Sequence, residues 1–261
     1  MATGPFDLTG KVAVITGGNG GIGLGMAGAV AAAGADVCIW GTNPDKNGAA
    51  ADTLARHGTH IEAVVCDVGD ETAVGSAFAR TLEAFGRVDA CFANAGVGGD
   101  GRQPFHEMTV EEWQRVMRVN LDGLFLTLRG AAGHMVERAK ADDPGGRLIA
   151  VSSLGALCGM ARAEHYAATK GAILPFMSSL AVEYARHGIT ANSILPGHIG
   201  TAMTQRMQDH PKYRDAIMPR IPMRRWGTPA DFGGIAVYLM SDTSAYHTAD
   251  TMLIDGGFFR A

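Results

Sequence analysis

The sequence predicts an α/β fold built on a parallel β-sheet, and three observations carry that expectation. Short β-branched runs alternate along the chain with helical stretches a dozen or so residues long. No internal repeat, low-complexity tract or linker divides the pattern. Of the 261 residues, 47% are hydrophobic, ample for a buried core, and 18% are charged, too few for a disordered chain. Strands separated by helices of this length form right-handed βαβ units, and a chain of this length in that class commonly folds as one domain.

The run KVAVIT at 11–16 reads as the first strand and leads directly into GGNGGIG at 17–23, with an Ala/Gly-rich helix from Ile22 to about Ala33. Strand, glycine turn and helix form the context a phosphate-cradling loop requires. Glycines let the backbone approach a pyrophosphate, and the helix N-terminus offers unpaired N–H groups at the positive end of its dipole. A plain tight turn is the alternative, and the placement favours nucleotide binding. A second strand is expected at 36–40, a helix from 44 to about 57, a third strand at 61–66, a helix at 71–85 and a fourth strand at 88–92.

The tip of the second strand is where such folds read the adenosine ribose, with an acid for the 2′-hydroxyl of NAD or an arginine for the 2′-phosphate of NADP. Gly41, Thr42 and Asn43 supply neither, no Lys or Arg lies within 17–23, and Lys46 is the nearest cation downstream. An unpaired 2′-phosphate dianion is poorly accommodated there, so NAD is expected in preference to NADP. The small residues Ala93, Asn94, Ala95 and Gly96 after the fourth strand let a ribose or nicotinamide pass close to the backbone. A loop is expected at 98–104 and a helix start at 111–118. Asn120 sits in the apolar run 119–128, where a buried amide needs partners. It is either structural or orients a water or backbone carbonyl near the site.

A fifth strand at 147–151 delivers Ser153. The stretch 153–170, SLGALCGMARAEHYAATK, ends in an Ala-rich helix carrying Tyr166 and Lys170, four residues apart and so on one face. A phenol has an ordinary pKa of about 10, and a nearby ammonium lowers it. The pair therefore makes a tunable proton donor and acceptor, with the Ser153 hydroxyl placed to hold a substrate oxygen. For these three alone, core, surface and strand-end roles compete with chemistry, and the rest of the chain decides for chemistry. The helix is expected to reach about His187 with a kink or break at Pro175, and a sixth strand at 189–195 ends in Pro196 and Gly197. The segment 200–226 reads as irregular, with Met203, Met207, Met218, Met223, Tyr213 and Trp226. Methionine-rich segments adapt to apolar partners, so residues at about 197–226 are expected to form a substrate lid, with subunit packing the alternative. A last helix at 229–240 and a seventh strand at 251–254 complete the pattern.

The net charge of −4 and the lack of a Lys/Arg run argue against a nucleic-acid partner. Cys38, Cys66, Cys91 and Cys158 lie in or beside apolar runs without C-x-x-C spacing and read as reduced core residues, not as a disulfide framework or metal site. The N-terminus MATGPFDLTGK has no apolar signal region, and no stretch of about 18 apolar residues spans a bilayer, so no membrane partner and a cytoplasmic location are expected. Leu154, Gly155, Ala156, Met160, His165, Gly197 and His198 are expected to face the substrate. They are mostly apolar, which favours a small or medium cyclic, aliphatic or aromatic alcohol. A sugar or polyol held by His165, His198 and Asn94 is the alternative.

With these residues in place, the sequence resembles the short-chain dehydrogenase/reductase family over essentially its whole length. The matching motifs are TGxxxGxG (Thr16, Gly17, Gly21, Gly23), Asp67, Asn94-Ala95-Gly96, Asn120, Ser153, YxxxK (Tyr166, Lys170) and PGxIxT (Pro196, Gly197, Ile199, Thr201). The resemblance implies a single Rossmann-like domain over 1–261, a seven-stranded parallel sheet flanked by helices on both faces, and a homotetramer or dimer. It implies hydride transfer between NAD(P) and a secondary alcohol or ketone substrate. Tyr166 is then the general acid/base, Lys170 lowers its pKa and bonds the nicotinamide ribose, Ser153 holds the substrate oxygen, and Asn120 sustains a water relay. Gly17, Gly21, Ile22 and Gly23 line the dinucleotide, Asp67 and Val68 meet the adenine, Asn94 lies on the adenosine side, and Ile199 and Thr201 meet the nicotinamide amide. Asn19, Thr42, Gly96, Pro196 and Gly197 complete the expected cofactor contacts. Ala93, Gly155-Ala156 and Thr248-Ala249-Asp250 depart from the family pattern. A non-catalytic dinucleotide-binding regulator is the competing reading, and a non-redox lyase or dehalogenase on the same scaffold a third.

Overall fold

Seven parallel strands form one sheet in a computed structural model that describes residues 4–99 and 103–261. In chain order they are β1 (Val12–Thr16), β2 (Asp36–Gly41), β3 (Ile61–Val65), β4 (Ala90–Ala93), β5 (Gly146–Val151), β6 (Ile189–Pro196) and β7 (Thr251–Ile254). The spatial order is β3-β2-β1-β4-β5-β6-β7. After β3 the chain crosses back over β1 to reach β4, so the winding direction reverses between β1 and β4. The strand ends diverge at such a switch point, and ligands bind there at the carboxyl edge.

The strands read as continuous apolar runs because helices cover both faces. Every residue of β1, β5 and β6 is buried. Alternate β1 side chains feed opposite layers: Val14 packs with Trp40, Phe78, Leu128 and Met177, whereas Ala13 and Ile15 pack with Met26, Leu54, Phe232 and Leu239. Trp40 meets the edge of Phe78 at 4.8 Å between ring centres. The first layer belongs to α3 (Glu71–Phe85), α5 (Gly123–Lys140) and α6 (Glu164–Tyr184). The second belongs to α1 (Gly21–Ala32), α2 (Pro44–Ala55) and α9 (Gly233–Met240). Local signals set the boundaries. Asp70 caps α3 by accepting from Ala73 N at 3.0 Å, and Gly86 ends it in the left-handed conformation, φ 73°.

Four expectations need correction. Helix α6 runs through Pro175 without a break, because Ile173, Met177 and Ala181 lock both sides of the proline into the core. Residues 200–226 are not irregular. They hold a 3₁₀ turn at Ala202–Thr204, α7 (Gln205–Gln208), α8 (Pro211–Ile217) and a second 3₁₀ turn at Met218–Arg220. The last helix opens as a 3₁₀ turn, Pro229–Phe232, before α9 begins. All four cysteines are free, but only Cys38, Cys66 and Cys91 are buried; Cys158 is half-buried. The loop expected at 98–104 lies partly outside the described residues. Ala249 stands at φ 63° with its N–H on Ala191 O at 2.9 Å, so alanine holds a left-handed turn that glycine adopts without strain.

Candidate active site

The glycine loop is the point where β1, β4 and α1 converge. Gly17 and Gly21 take positive φ, 63° and 51°. A Cβ on Gly23 would lie 2.3 Å from Gly17 O and 2.6 Å from Asn94 Nδ2, so only glycine fits that turn. Gly20, the extended residue before α1, leaves the helix without a side-chain cap, and open space surrounds its Cα. Uncapped N–H groups facing a backbone stripped of side chains fit a pyrophosphate. The loop is stitched to β4 by Thr16, whose hydroxyl oxygen accepts from Asn94 N and Ala95 N, both at 3.0 Å. Asn94 Nδ2 returns a bond to Thr16 O at 2.8 Å.

The second-strand tip is built from neutral amides. Asn19 Nδ2 donates to Asn47 Oδ1 at 2.7 Å, and buried Asn47 donates onward to Gly41 O and Val64 O at 3.0 and 3.1 Å. Thr42 is exposed beside them. Asp67 accepts from Gly69 N at 3.0 Å and from Arg118 Nη1 at 2.9 Å. Burial pushes its carboxyl up, but these bonds outweigh it and hold the group below the ordinary carboxylate range. Val68 is buried against the start of α5. On the far side, Gly197 N bonds Ile254 O at 3.0 Å, Ile199 is buried, and the Thr201 methyl crosses to 3.3 Å from where a Gly21 Cβ would stand.

The four candidate catalytic residues come together from three places: Ser153 after β5, Tyr166 and Lys170 on α6, and Asn120 before α5. Ser153 leaves β5, its oxygen accepting from Gly155 N at 3.0 Å and its hydroxyl near enough to the Tyr166 phenol to favour the phenolate. Gly155, two residues after Ser153, lies against Met160: a Cβ there would stand 2.6 Å from Met160 Sδ, and in ordinary contact, 3.5 Å, with Ser153 Oγ and Tyr166 Cε1. One turn along α6, Lys170 Nζ donates to Val151 O at 2.8 Å and lies 5.9 Å from the Tyr166 ring centre. Asn120, in a π-turn over Arg118–Asp122, is fully buried; it accepts from Val97 N at 2.8 Å and donates to Val97 O and Thr169 Oγ1 at 2.9 and 3.3 Å.

The electrostatics differ from the sequence expectation. Lys170 does not bring the Tyr166 phenol down. Burial raises it, and the neighbouring Ser153 hydroxyl opposes that only in part. Lys170 is itself pushed down to about 8 by burial. Burial thus moves both groups toward their neutral forms relative to water, as desolvation requires.

Some expected substrate contacts are otherwise engaged. His165 is buried with Nε2 3.2 Å from Glu112 Oε1, and the Asn94 amide is spent on the glycine loop. His198 packs among Tyr213, Trp226 and Phe258, with ring centres 6.3, 5.5 and 4.6 Å away. Sequence reasoning named Thr16 as part of the glycine motif without assigning it a contact, and missed two supporting residues. Thr169, which donates to Tyr166 O at 2.7 Å, was visible as a polar residue one turn beyond the tyrosine. Asn47 offered only an amide in an Ala-rich helix.

Residues 17–259 match the family model described as Enoyl-(Acyl carrier protein) reductase. The chain belongs to the short-chain dehydrogenase/reductase family. It is 35% identical to a 3-oxoacyl-acyl-carrier-protein reductase of Chlamydia pneumoniae over 252 residues, covering 97% of this chain and 98% of that one. It is 36% identical to an L-rhamnose 1-dehydrogenase (NAD(P)(+)) of a Sphingomonas species over 258 residues, 97% of each. Among solved structures, a gluconate 5-dehydrogenase from Burkholderia cenocepacia in complex with NADP and tartrate superposes with a TM-score of 0.92 at 32% identity, covering 100% of both chains. As a short-chain dehydrogenase/reductase with a full-length match to dehydrogenases and reductases, the chain is an NAD(P)-dependent oxidoreductase. None of these similarities supports a non-catalytic regulator.

Proposed function

We propose that the chain interconverts a secondary alcohol and its ketone with Tyr166 as general acid/base. The observation that carries this reading is the convergence of Ser153, Tyr166, Lys170 and Asn120 at the carboxyl edge of the sheet, next to the uncapped start of α1. NAD(P) supplies the hydride acceptor or donor; the chain's part is to bind, orient and move a proton. Ser153 Oγ shares the substrate oxygen with the Tyr166 hydroxyl, which gives its proton in reduction and takes one in oxidation. Lys170 Nζ and Asn120 form the inner wall behind them, held by Val151 and Val97. The neutral amides at Asn19 and Asn47, beside exposed Thr42, support NAD over NADP, since these tip side chains offer a 2′-phosphate no charge and Lys46, one turn into α2, is the nearest cation in sequence.

Residues at about 197–226 act as the lid of a single catalytic domain. Supporting this, Ile221 and Phe258 pack on Leu154, the neighbour of Ser153. The relatives named for rhamnose and gluconate favour a hydroxyl-rich substrate over the apolar alcohol expected from the pocket residues. A homotetramer is supported by apolar side chains left exposed on α5 and α6, Phe125 and Val182. A cytoplasmic location accords with the free cysteines and with no described helix being long and apolar enough to cross a membrane.

The test is NAD(P)H absorbance with a panel of sugars, sugar acids and simple secondary alcohols, run separately with NAD and NADP. Tyr166→Phe is expected to lower kcat by about 10²–10⁴-fold with dinucleotide affinity within about threefold. Turnover retained in that variant would remove Tyr166 from the role assigned to it.

A further inference from the structure

The amino-terminal edge of the sheet, opposite the catalytic edge, holds a polar cavity of about 210 Å³. Lys11 enters it just before β1, Arg147 from the second position of β5, and Asp242 from the turn after α9. Two further arginines and two aspartates line it and balance one another. Arg138 reaches Asp89 at 3.0 Å and Asp143 at 2.8 Å, and Arg87 reaches Asp89 at 2.6 Å. What remains is Lys11 and Arg147 against Asp242, one positive charge in surplus.

Arg147 is the under-compensated member. It is 8% exposed, yet among the described residues its acceptors are Gly146 O at 3.0 Å, Ser241 O at 3.4 Å and, as an ion pair, Asp242 Oδ1 at 3.7 Å. Its Nε is buried with no hydrogen-bond partner among the described residues. Asp242 is 80% exposed and already accepts from Lys11 Nζ, so it screens the guanidinium weakly. A buried guanidinium demands a paired charge and filled donors, and its planar fork matches an oxyanion.

We infer that this cavity is a binding site for a small tetrahedral oxyanion of the inorganic phosphate class, held between Lys11 Nζ and the Arg147 guanidinium. Such an anion neutralises the surplus charge and joins the starts of β1 and β5 to the end of α9, far from the reacting groups. Binding therefore acts on stability and not on turnover.

The test is thermal unfolding of the full chain with saturating NADH, titrated with inorganic phosphate at constant ionic strength, with chloride as the reference salt. A saturable rise of Tm is expected, about 5 °C or more at a hundredfold excess over Kd. Lys11→Gln and Arg147→Met should each abolish that rise, and Lys11→Gln, on the half-exposed side of the site, should leave turnover unchanged. Saturating NADH keeps the glycine loop occupied, so a phosphate response there is not counted. No saturable rise, or a rise retained in both variants, overturns the site. If Arg147→Met does not fold, Lys11→Gln alone decides: a retained rise overturns the proposal and a lost rise upholds it.

Discussion

At the scale of single residues, the site runs on desolvation. Lys170 has an ordinary pKa of 10.5 and is pushed down to about 8 by burial, which makes it a lever on stability as well as on chemistry. Between those two values the unfolded chain holds a proton on this amine that the folded chain has released. Stability contributed by Lys170 therefore rises with pH through that window and is lowest below about 8, where the buried ammonium carries its full desolvation penalty. Relative to Lys170→Met, the wild-type chain should gain on the order of 3 kcal/mol across it, read as the difference between their urea-unfolding free energies at successive pH values. Parallel curves for the two proteins would place the amine in a wetter setting than its bond to Val151 O implies. The sequence disclosed the tyrosine–lysine pair by helical spacing alone. It did not disclose the sign of the tyrosine shift, because spacing reports which side chains are neighbours and is silent on how much water they lose.

At the scale of elements, the loop between β1 and α1 separates glycines needed by the fold from one that leaves room for a ligand. Gly23 has no space for a Cβ, which would meet Gly17 O at 2.3 Å, so Gly23→Ala should destabilise the chain by about 1–3 kcal/mol and weaken NADH binding at least tenfold. Gly20 meets nothing within 4 Å and is extended, so Gly20→Ala should cost under about 1 kcal/mol while still weakening NADH binding, by placing a methyl where the phosphates pass. Denaturant midpoints and NADH fluorescence titrations of the two variants separate the effects; equal losses of stability would contradict the geometry. The elements that the sequence made legible are those with long-range order in their pattern. The strands are apolar runs because both faces are covered, and α3 begins and ends where Asp70 and Gly86 say it does. What escaped was short or set by tertiary contact: α7 and α8 span too few residues for a helical period to emerge. Pro175 reads locally as a break, yet the core on either side of it keeps α6 continuous.

At the scale of the whole molecule, the sheet keeps its two edges apart in function. The carboxyl ends of β1, β4, β5 and β6 gather the glycine loop, Asn94, Ser153 and Pro196, while the amino ends gather the charged cavity around Arg147. The chain's last residues return to the catalytic edge, where Phe258 links Leu154 and Ile221 to the ring of His198. One of the fastenings of the segment 197–226 is this imidazole, which is packed among aromatic rings, lies 3.3 Å through Nε2 from the Tyr213 hydroxyl, and feels Arg220 and Asp255. Burial, and then Arg220, hold His198 below its ordinary range, with Asp255 acting in the opposite direction. A depressed histidine contributes stability that is present above its unfolded pKa of about 6.5 and lost as pH falls below it. Because His198 anchors the segment and not the sheet, the loss should be local. Hydrogen-exchange protection of residues 201–226, with intrinsic rates divided out, should fall between pH 7 and 5 by up to about tenfold per unit, one proton being the limit. The strands should keep theirs. In His198→Phe, which retains the ring packing but loses both the titration and the 3.3 Å contact to the Tyr213 hydroxyl, most of that fall should vanish. A fall of equal size in the variant would move the pH sensitivity to another group, and a flat profile in the wild type would mean that the segment is fastened by contacts that do not titrate, such as the Leu154, Ile221 and Phe258 cluster and the Met223 N–Gly256 O bond.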